Sequence, residues 1–423
     1  MLEDDRARDL INVAAEAASA GSRGDARGLL LRALATNPSL ELRIRAWRTL
    51  ASLTDDPTEK RDYLENILLA DSTDGLARRD LAVLDGTLSE RDIVDPDLVG
   101  SSAPSGARRH VETEPLTCSA CGGRLAYSPE MGALACLHCG RQRPIDERPE
   151  AVAGEDFAVT MWTGRARKAP TSQPVVTCQG CSAVFVVKPG ALSVRCFYCG
   201  TNSTIQQAES RDLLAPDGIV PIALTEAQAR RLVEESEGEG GREVTGGYVP
   251  VWVLSFAGQV DWTGVARQQF GDADSRQETV TGTYTVVETV VAVFGTSRLG
   301  DLADLALPQM GLNRAVPFDE GYLAGWPAES YDITLEQAAV AARPSAIQKT
   351  RDEVVESASD EASRIEVSAS RLGIDTFKLV LAPIWLAPAV GDRPLIVVDG
   401  RTGQVYSKPG GLLDRLRRSL GIE

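Results

Sequence analysis

The chain has 423 residues, 43% of them hydrophobic, and a formal net charge of −16. That apolar content is enough to bury cores in about two to four domains, and the charge makes general attraction to phosphate unfavourable. No basic stretch followed by an apolar run opens the chain, and apolar stretches such as Leu379 to Val390 are broken by prolines well short of the about twenty residues that span a bilayer; a cytoplasmic location is the expectation.

Residues 1–90 read as helices carrying a short repeat. An offset of 34 residues places Arg27 on Arg61, Leu30 on Leu64 and Leu34 on Leu68, and carries Val13 onto Trp47 and Trp47 onto Leu81. The period resembles tetratricopeptide repeats, of which about two and a half units fit; a small helical bundle that matches the period by coincidence is the plainer alternative. Such repeats leave a concave surface for peptide or protein. The expected partner surface is the groove near Trp47, Tyr63 and Leu64, although Trp47 taken alone reads as a core residue. Residues 91–114, rich in Pro, Gly and Ser without periodicity, read as a flexible linker in which His110 is solvated.

All eight cysteines fall between Thr117 and Thr204, as Cys118 and Cys121, Cys136 and Cys139, Cys178 and Cys181, Cys196 and Cys199. Each half is a CxxC, fourteen residues and a second CxxC, and the second half is the first shifted by 60 positions. Two residues between cysteines let one tight turn present both sulfurs to a tetrahedral ion, and the intervening residues suit a β-hairpin that returns with the other pair. The expectation is two structural Zn²⁺ ions in zinc ribbons at 115–145 and 174–206. Rubredoxin-like iron and redox-active CxxC pairs are the competing readings. Gly122, Gly140 and Gly200 follow three of the four turns, where positive φ lets backbone N–H groups approach the sulfurs, and Ser182 stands in the fourth. A ribbon this small has too little core to fold alone, and metal binding of about 10–16 kcal/mol supplies the difference. His138 reads as an exposed turn residue rather than a substitute ligand.

The connecting segment 146–173 contains Phe157, Val159, Met161 and Trp162, enough apolar surface for a short helix or strap. Arg165, Arg167 and Lys168 form a small basic cluster after it. Over residues 108–205 there are eleven Lys and Arg against eight Asp and Glu. Two zinc centres with four thiolates each would reverse that sum, so no electrostatic footprint for nucleic acid survives. Phe197 and Tyr198, inside the last CxxC, suit packing against a neighbouring hairpin more than stacking on a base.

Residues 212–410 read as an α+β domain. Ile219 to Leu224 is a short strand. Thr225 to Gln228 is a capping box opening a helix to Glu237, and glycine-rich Gly238 to Gly247 is a loop. Strands follow at Tyr248–Phe256 and Glu278–Phe294, the second long enough to bend or fold back. Thr334 to Gln337 is another capping box, for a helical segment to Ala358 that Pro344 should kink or divide. Strands return at Thr376–Leu386 and Pro394–Ser407, the latter turning at Asp399 to Gly403. Residues 411–423 suit a short basic helix. The fold class is therefore multidomain: an all-α helical repeat, two small β zinc ribbons and a C-terminal α+β domain.

Three stretches, Tyr322-Leu-Ala-Gly-Trp-Pro-Ala-Glu-Ser-Tyr331, Thr376-Phe-Lys-Leu-Val-Leu-Ala-Pro-Ile-Trp385 and Val398-Asp-Gly-Arg-Thr-Gly-Gln-Val405, placed after two ribbons, resemble a family of uncharacterised bacterial double zinc-ribbon proteins described as TFIIB-type or primosomal-protein-N-prime-like. The resemblance covers roughly residues 115–410. It implies zinc at the eight cysteines and nothing catalytic. Related chains often continue into membrane-spanning helices after the last motif, or accompany membrane proteins, so peripheral membrane association through a partner is a further implication.

No GxxxxGK[ST] loop is present, so a helicase would lack its phosphate cradle. With every cysteine committed to metal and the two histidines in a linker and a turn, neither a thiol nucleophile nor a histidine base is at hand. Lys378, in an apolar strand, reads as solvent-facing. The expected function is a non-catalytic adaptor that binds a protein through its N-terminal helices; a nucleic-acid-binding protein of replication or transcription is the alternative.

Overall fold

The computed structural model describes residues 2–71, 74–86, 116–145, 152–163, 171–187, 193–204, 209–238, 241–266, 279–389 and 393–407. The linker with His110, the cluster Arg165, Arg167 and Lys168, and the C-terminal segment 411–423 lie outside them.

Five helices open the chain: α1 (Leu2–Ser19), α2 (Arg23–Ala35), α3 (Leu40–Leu53), α4 (Pro57–Ala70) and α5 (Gly75–Leu84). Local chemistry starts the last two. Asp56 accepts from Thr58 N–H before Pro57 at the first helical position, and Asp74 accepts from Ala77 N–H. Ala7, Ile11, Leu30, Ala33, Leu42, Ala46 and Leu50 form one buried cluster, and Ala51, Leu64, Ile67 and Ala77 a second. Trp47 and Tyr63 are partly buried and pack against both clusters.

Among the described residues twelve strands join one sheet. Its backbone is the 22-residue strand Thr245–Ala266, flanked antiparallel by Thr279–Phe294 and by the 26-residue strand Ala362–Ala387. From Tyr248 to Trp252 the central strand is buried continuously, whereas from Val260 onward buried and exposed residues alternate, so its far end keeps one solvated face. The central strand and Ala362–Ala387 outrun the sequence reading, which began them at Tyr248 and Thr376, whereas Thr279–Phe294 matches it to within a residue. Residues 362–375 alternate Ile365, Val367 and Ala369 with polar neighbours, the period-two signal of a half-buried strand. In place of a six-residue strand after Asp217, the ladder takes only Gly218–Ile219, because Ala223 and Leu224 N–H groups turn to Gly400 O at 2.8 and 3.0 Å.

Both capping boxes form, at Thr225 with Gln228 and at Thr334 with Gln337. Gly238 ends the first helix with φ +73°. The second runs unbroken from Leu335 to Ala358 with Pro344 inside it. Pro344 is exposed and the Val340 side chain four residues earlier is 76% exposed, so the carbonyl that loses its donor lies on the solvent side, where water can satisfy it. The buried face, Ala338, Ala342, Ala346, Thr350, Val354 and Ala358, repeats every four residues with small side chains and lets the helix lie close on Trp252, Val260 and Trp262.

The helices meet the sheet through α5. Arg78 pairs with Asp156 at 3.2 Å and with Asp375, joining strand Glu155–Asp156 and its following helix, Phe157–Thr163, to the long strand Ala362–Ala387.

Candidate metal centres

In the first unit Cys118, Cys121, Cys136 and Cys139 converge; in the second, Cys178, Cys181, Cys196 and Cys199 do, each set with its sulfurs within 4.8 Å of one another. Cys118 and Cys139 sulfurs are 3.7 Å apart and Cys121 and Cys136 sulfurs 3.5 Å; the matching pairs in the second unit are 3.6 and 3.4 Å. A tetrahedral ZnS₄ centre with Zn–S of about 2.3 Å needs sulfurs about 3.8 Å apart. Each set could therefore hold a structural zinc ion with little movement, and four thiolates leave no open coordination position.

The turns that carry the sulfurs follow one plan. Gly122, Gly140, Ser182 and Gly200 N–H groups donate to the carbonyls of Cys118, Cys136, Cys178 and Cys196 at 2.7–2.9 Å. The four residues hold φ of +70°, +71°, +60° and +73°; Ser182 thus accepts the left-handed strain that the other three positions avoid by being glycine. Backbone N–H groups of Cys139 and His138 aim at the Cys136 sulfur and hold its thiol down to about 6. Those of Ala120 and Cys121 lower Cys118 likewise. At Cys196 burial dominates and raises the thiol. His138 is exposed and outside the ligand set.

Beyond the ligands the two units diverge. In the first, Leu125–Ser128, Ala133–Cys136 and Gln142–Arg143 form the expected hairpin plus one strand. The second has no hairpin between its CxxC pairs among the described residues. Val184–Val186 pairs with Thr171–Thr177 on one side and with Ala328–Glu329 on the other, so no edge remains for Ser193–Arg195, which pairs with Asn202–Thr204 instead.

Neither unit is a free-standing module. Leu125, Tyr127, Leu134 and Ile145 share a buried cluster with Tyr248, Tyr322 and Trp385. Tyr127 N–H donates to Ala324 O at 2.8 Å, Trp326 Nε1 donates to Tyr127 O at 3.1 Å, and the Tyr127 and Tyr322 rings meet edge to face at 5.1 Å. On the second unit Phe185 and Phe197 share a cluster with Val249, Val251 and Ile384. Phe197 packs edge-on to Phe185 at 5.2 Å and fills the space over Gly247, where a Cβ would stand 2.6 Å from its ring. Tyr198 donates to Glu329 Oε2 at 2.6 Å and lies under the Arg298 guanidinium, 5.4 Å from its ring centre. Thr296 donates to the other Glu329 oxygen at 3.0 Å, and Arg298 Nη2 reaches Cys181 O at 2.6 Å. Burial raises the Glu329 carboxyl to about 7 and pushes the Tyr198 hydroxyl well above its usual range.

The stretch Tyr322 to Tyr331 therefore serves as a spine. Its first half holds unit one, Ala328–Glu329 pairs with unit two, and Tyr331 stacks edge-on against Trp252 at 5.3 Å. Its aromatic and small residues were visible in the sequence; that they serve both cysteine units was not, since nothing local links them to either.

A cleft of about 740 Å³ lies between α3 and α4 and the solvated face of the sheet, lined among others by Arg43, Trp47, Leu69, Asp261 and Arg371. Trp47 thus borders a groove while packing on the helical core. Leu64 is 1% exposed and belongs to that core, so it cannot touch a partner. The Tyr63 hydroxyl donates to Glu59 at 3.1 Å.

Fold and site define a protein with two four-cysteine metal units built into a large mixed sheet and a helical region at its amino end. It is 22% identical over 316 residues to an uncharacterised protein, YdjG, of Bacillus subtilis, an alignment covering 69% of this chain and 89% of that one. No family model matches the chain, and no solved structure does. Among the described residues no helix is long and apolar enough to cross a membrane.

Proposed function

We propose that this protein is a non-catalytic adaptor: two zinc-ribbon-like units stabilise a scaffold of the double zinc-ribbon type, and the tetratricopeptide-like helices α1–α5 recruit a protein partner. The observation that carries it is the closure of both cysteine sets. The chain would fill all four positions around a zinc ion in each set, and the turns holding the sulfurs are woven into cores, as befits metals that fold a protein rather than react. The cleft beside α3 and α4 supplies the partner surface. Arg43 lines it, a guanidinium group that an acidic or carbonyl group of a bound segment would pair with.

The test is an affinity purification of the tagged full-length chain after nuclease treatment, beside the double variant Arg43→Glu, Leu69→Glu, with zinc measured in both. Leu69 is 82% exposed, so the double change leaves the helical core in place. The adaptor reading expects two zinc ions per chain and a stoichiometric protein partner that the variant loses. Nucleic acid retained by both forms with no protein partner would transfer the function to the cysteine units.

A further inference from the structure

The 60-residue repeat puts Leu137 and His138 at the positions of Phe197 and Tyr198. In the second unit this pair is a docking element. Phe197 is 1% exposed, its carbonyl accepts from Thr245 Oγ1 at 2.7 Å, and Tyr198 donates to a carboxylate on the strand Ala328–Glu329. In the first unit the same two positions face solvent, Leu137 at 73% exposure and His138 beside it, because that unit meets the sheet through Tyr127 on another side.

Basic groups surround the exposed turn. Leu137 N–H donates to Arg124 O at 3.0 Å and Cys136 N–H to Arg141 O at 2.9 Å, which sets both arginines next to the turn, and Arg143 follows on the adjoining strand. All three are exposed, and none has an ion-pair partner among the described residues. In the second unit the equivalent positions are the uncharged Val184, Thr201 and Ser203, and Arg195, on the strand that leads into the turn, is paired with Glu243. Among the described residues three guanidinium groups thus stand without a carboxylate partner around one exposed apolar side chain.

We propose that the Leu137–His138 turn is a docking surface for an extended acidic segment of another protein, held as the second unit holds the strand bearing Glu329. Leu137 fills a notch in the segment's surface, His138 stands where Tyr198 meets a carboxylate, and Arg124, Arg141 and Arg143 take further carboxylates through paired N–H groups. Protein is favoured over nucleic acid because the turn carries no phenylalanine, tyrosine or tryptophan platform for a base; the Phe-Tyr pair lies in the other unit, Phe197 buried and Tyr198 partly buried. This surface goes beyond the adaptor reading and depends only on the first unit's last CxxC turn keeping its shape.

Fluorescence anisotropy of the full-length, zinc-loaded chain tests it with three probes: a labelled peptide of about twelve residues alternating glutamate with threonine and valine, its lysine counterpart, and a single-stranded DNA of about twenty nucleotides. The expected result is saturable binding of the acidic peptide alone. Leu137→Asp, and separately the pair Arg141→Glu, Arg143→Glu, should each weaken it about tenfold or more. Arg32→Glu, on an exposed face of α2, should leave it within about twofold. No saturable binding by a chain that holds two zinc ions overturns the docking surface and leaves the zinc reading standing. Equal weakening by Arg32→Glu, or tighter binding of DNA, overturns it as well. Binding by a chain without zinc would keep the surface and sink the zinc reading.

Discussion

The first cysteine unit meets the sheet through a strand, with Tyr127 against Tyr322, and turns its last CxxC outward; the second meets it through that CxxC, with Phe197 over Gly247 and Tyr198 on Glu329. Ligand spacing, backbone turn and sulfur geometry are shared. The two residues between the last pair of cysteines differ, Leu-His against Phe-Tyr, and that difference goes with burial in one unit and exposure in the other. A repeat of metal ligands therefore predicts the ion without predicting the interface.

The largest test of this asymmetry is ligand loss. Cys196→Ser should release one zinc and cost about 5 kcal/mol or more, lowering Tm by more than about 10 °C, because metal and core fold together there. Cys139→Ser, at an exposed ligand, should release one zinc at less than about half that cost. Zinc content and thermal unfolding by circular dichroism report both, and equal losses would erase the distinction between the units.

Titration of Glu329 comes next. Its folded value of about 7 lies above the ordinary 4.5, so the folded state binds the extra proton between those values. Its contribution is fully present below pH of about 4.5 and is lost as pH rises through about 7, by up to about 3 kcal/mol. Glu329→Gln should remove that decline, read as the stability difference between the two proteins at pH 5 and 8. Thiolate protonation works the other way, releasing zinc as pH falls, and cancels in the comparison. A difference that does not vary with pH would show that the carboxyl is charged throughout.

Gly247→Ala should cost about 1–3 kcal/mol by forcing a Cβ into the Phe197 ring, whereas Leu137→Ala in the isolated chain should stay within about 0.5 kcal/mol. Denaturant unfolding separates them. Smallest is the loss of one hydroxyl: Tyr198→Phe should cost about 1 kcal/mol by leaving a Glu329 oxygen without its donor, and His138→Ala nothing measurable. A destabilising His138→Ala would place that side chain in a contact the comparison denies it.

The cysteine sets were legible because two CxxC pairs at matched separation admit few other uses, and the glycine after three of the turns marked the positive φ that Ser182 also adopts. Both capping boxes were legible for the same local reason. The alternation of Ile365, Val367 and Ala369 carried a strand signal that was missed, and Pro344 does not divide its helix because the cost of a helical proline depends on whether its orphaned carbonyl faces water. Leu64 fell on the expected groove by period alone, and the period does not say which side of a helix is filled by the next one.

By itself the sequence determined what chemistry reads over a few residues: thiolate pairs for tetrahedral ions, helix starts, turns and the apolar stretches of the core. Only the tertiary structure decided which strand edges were free. Val184–Val186 could not close a hairpin once Thr171–Thr177 and Ala328–Glu329 held both its edges, and one ten-residue stretch, Tyr322 to Tyr331, came to join both metal units to the sheet. The physical reason is that a strand has two edges and a ring two faces, and which partner occupies each depends on residues more than a hundred positions away.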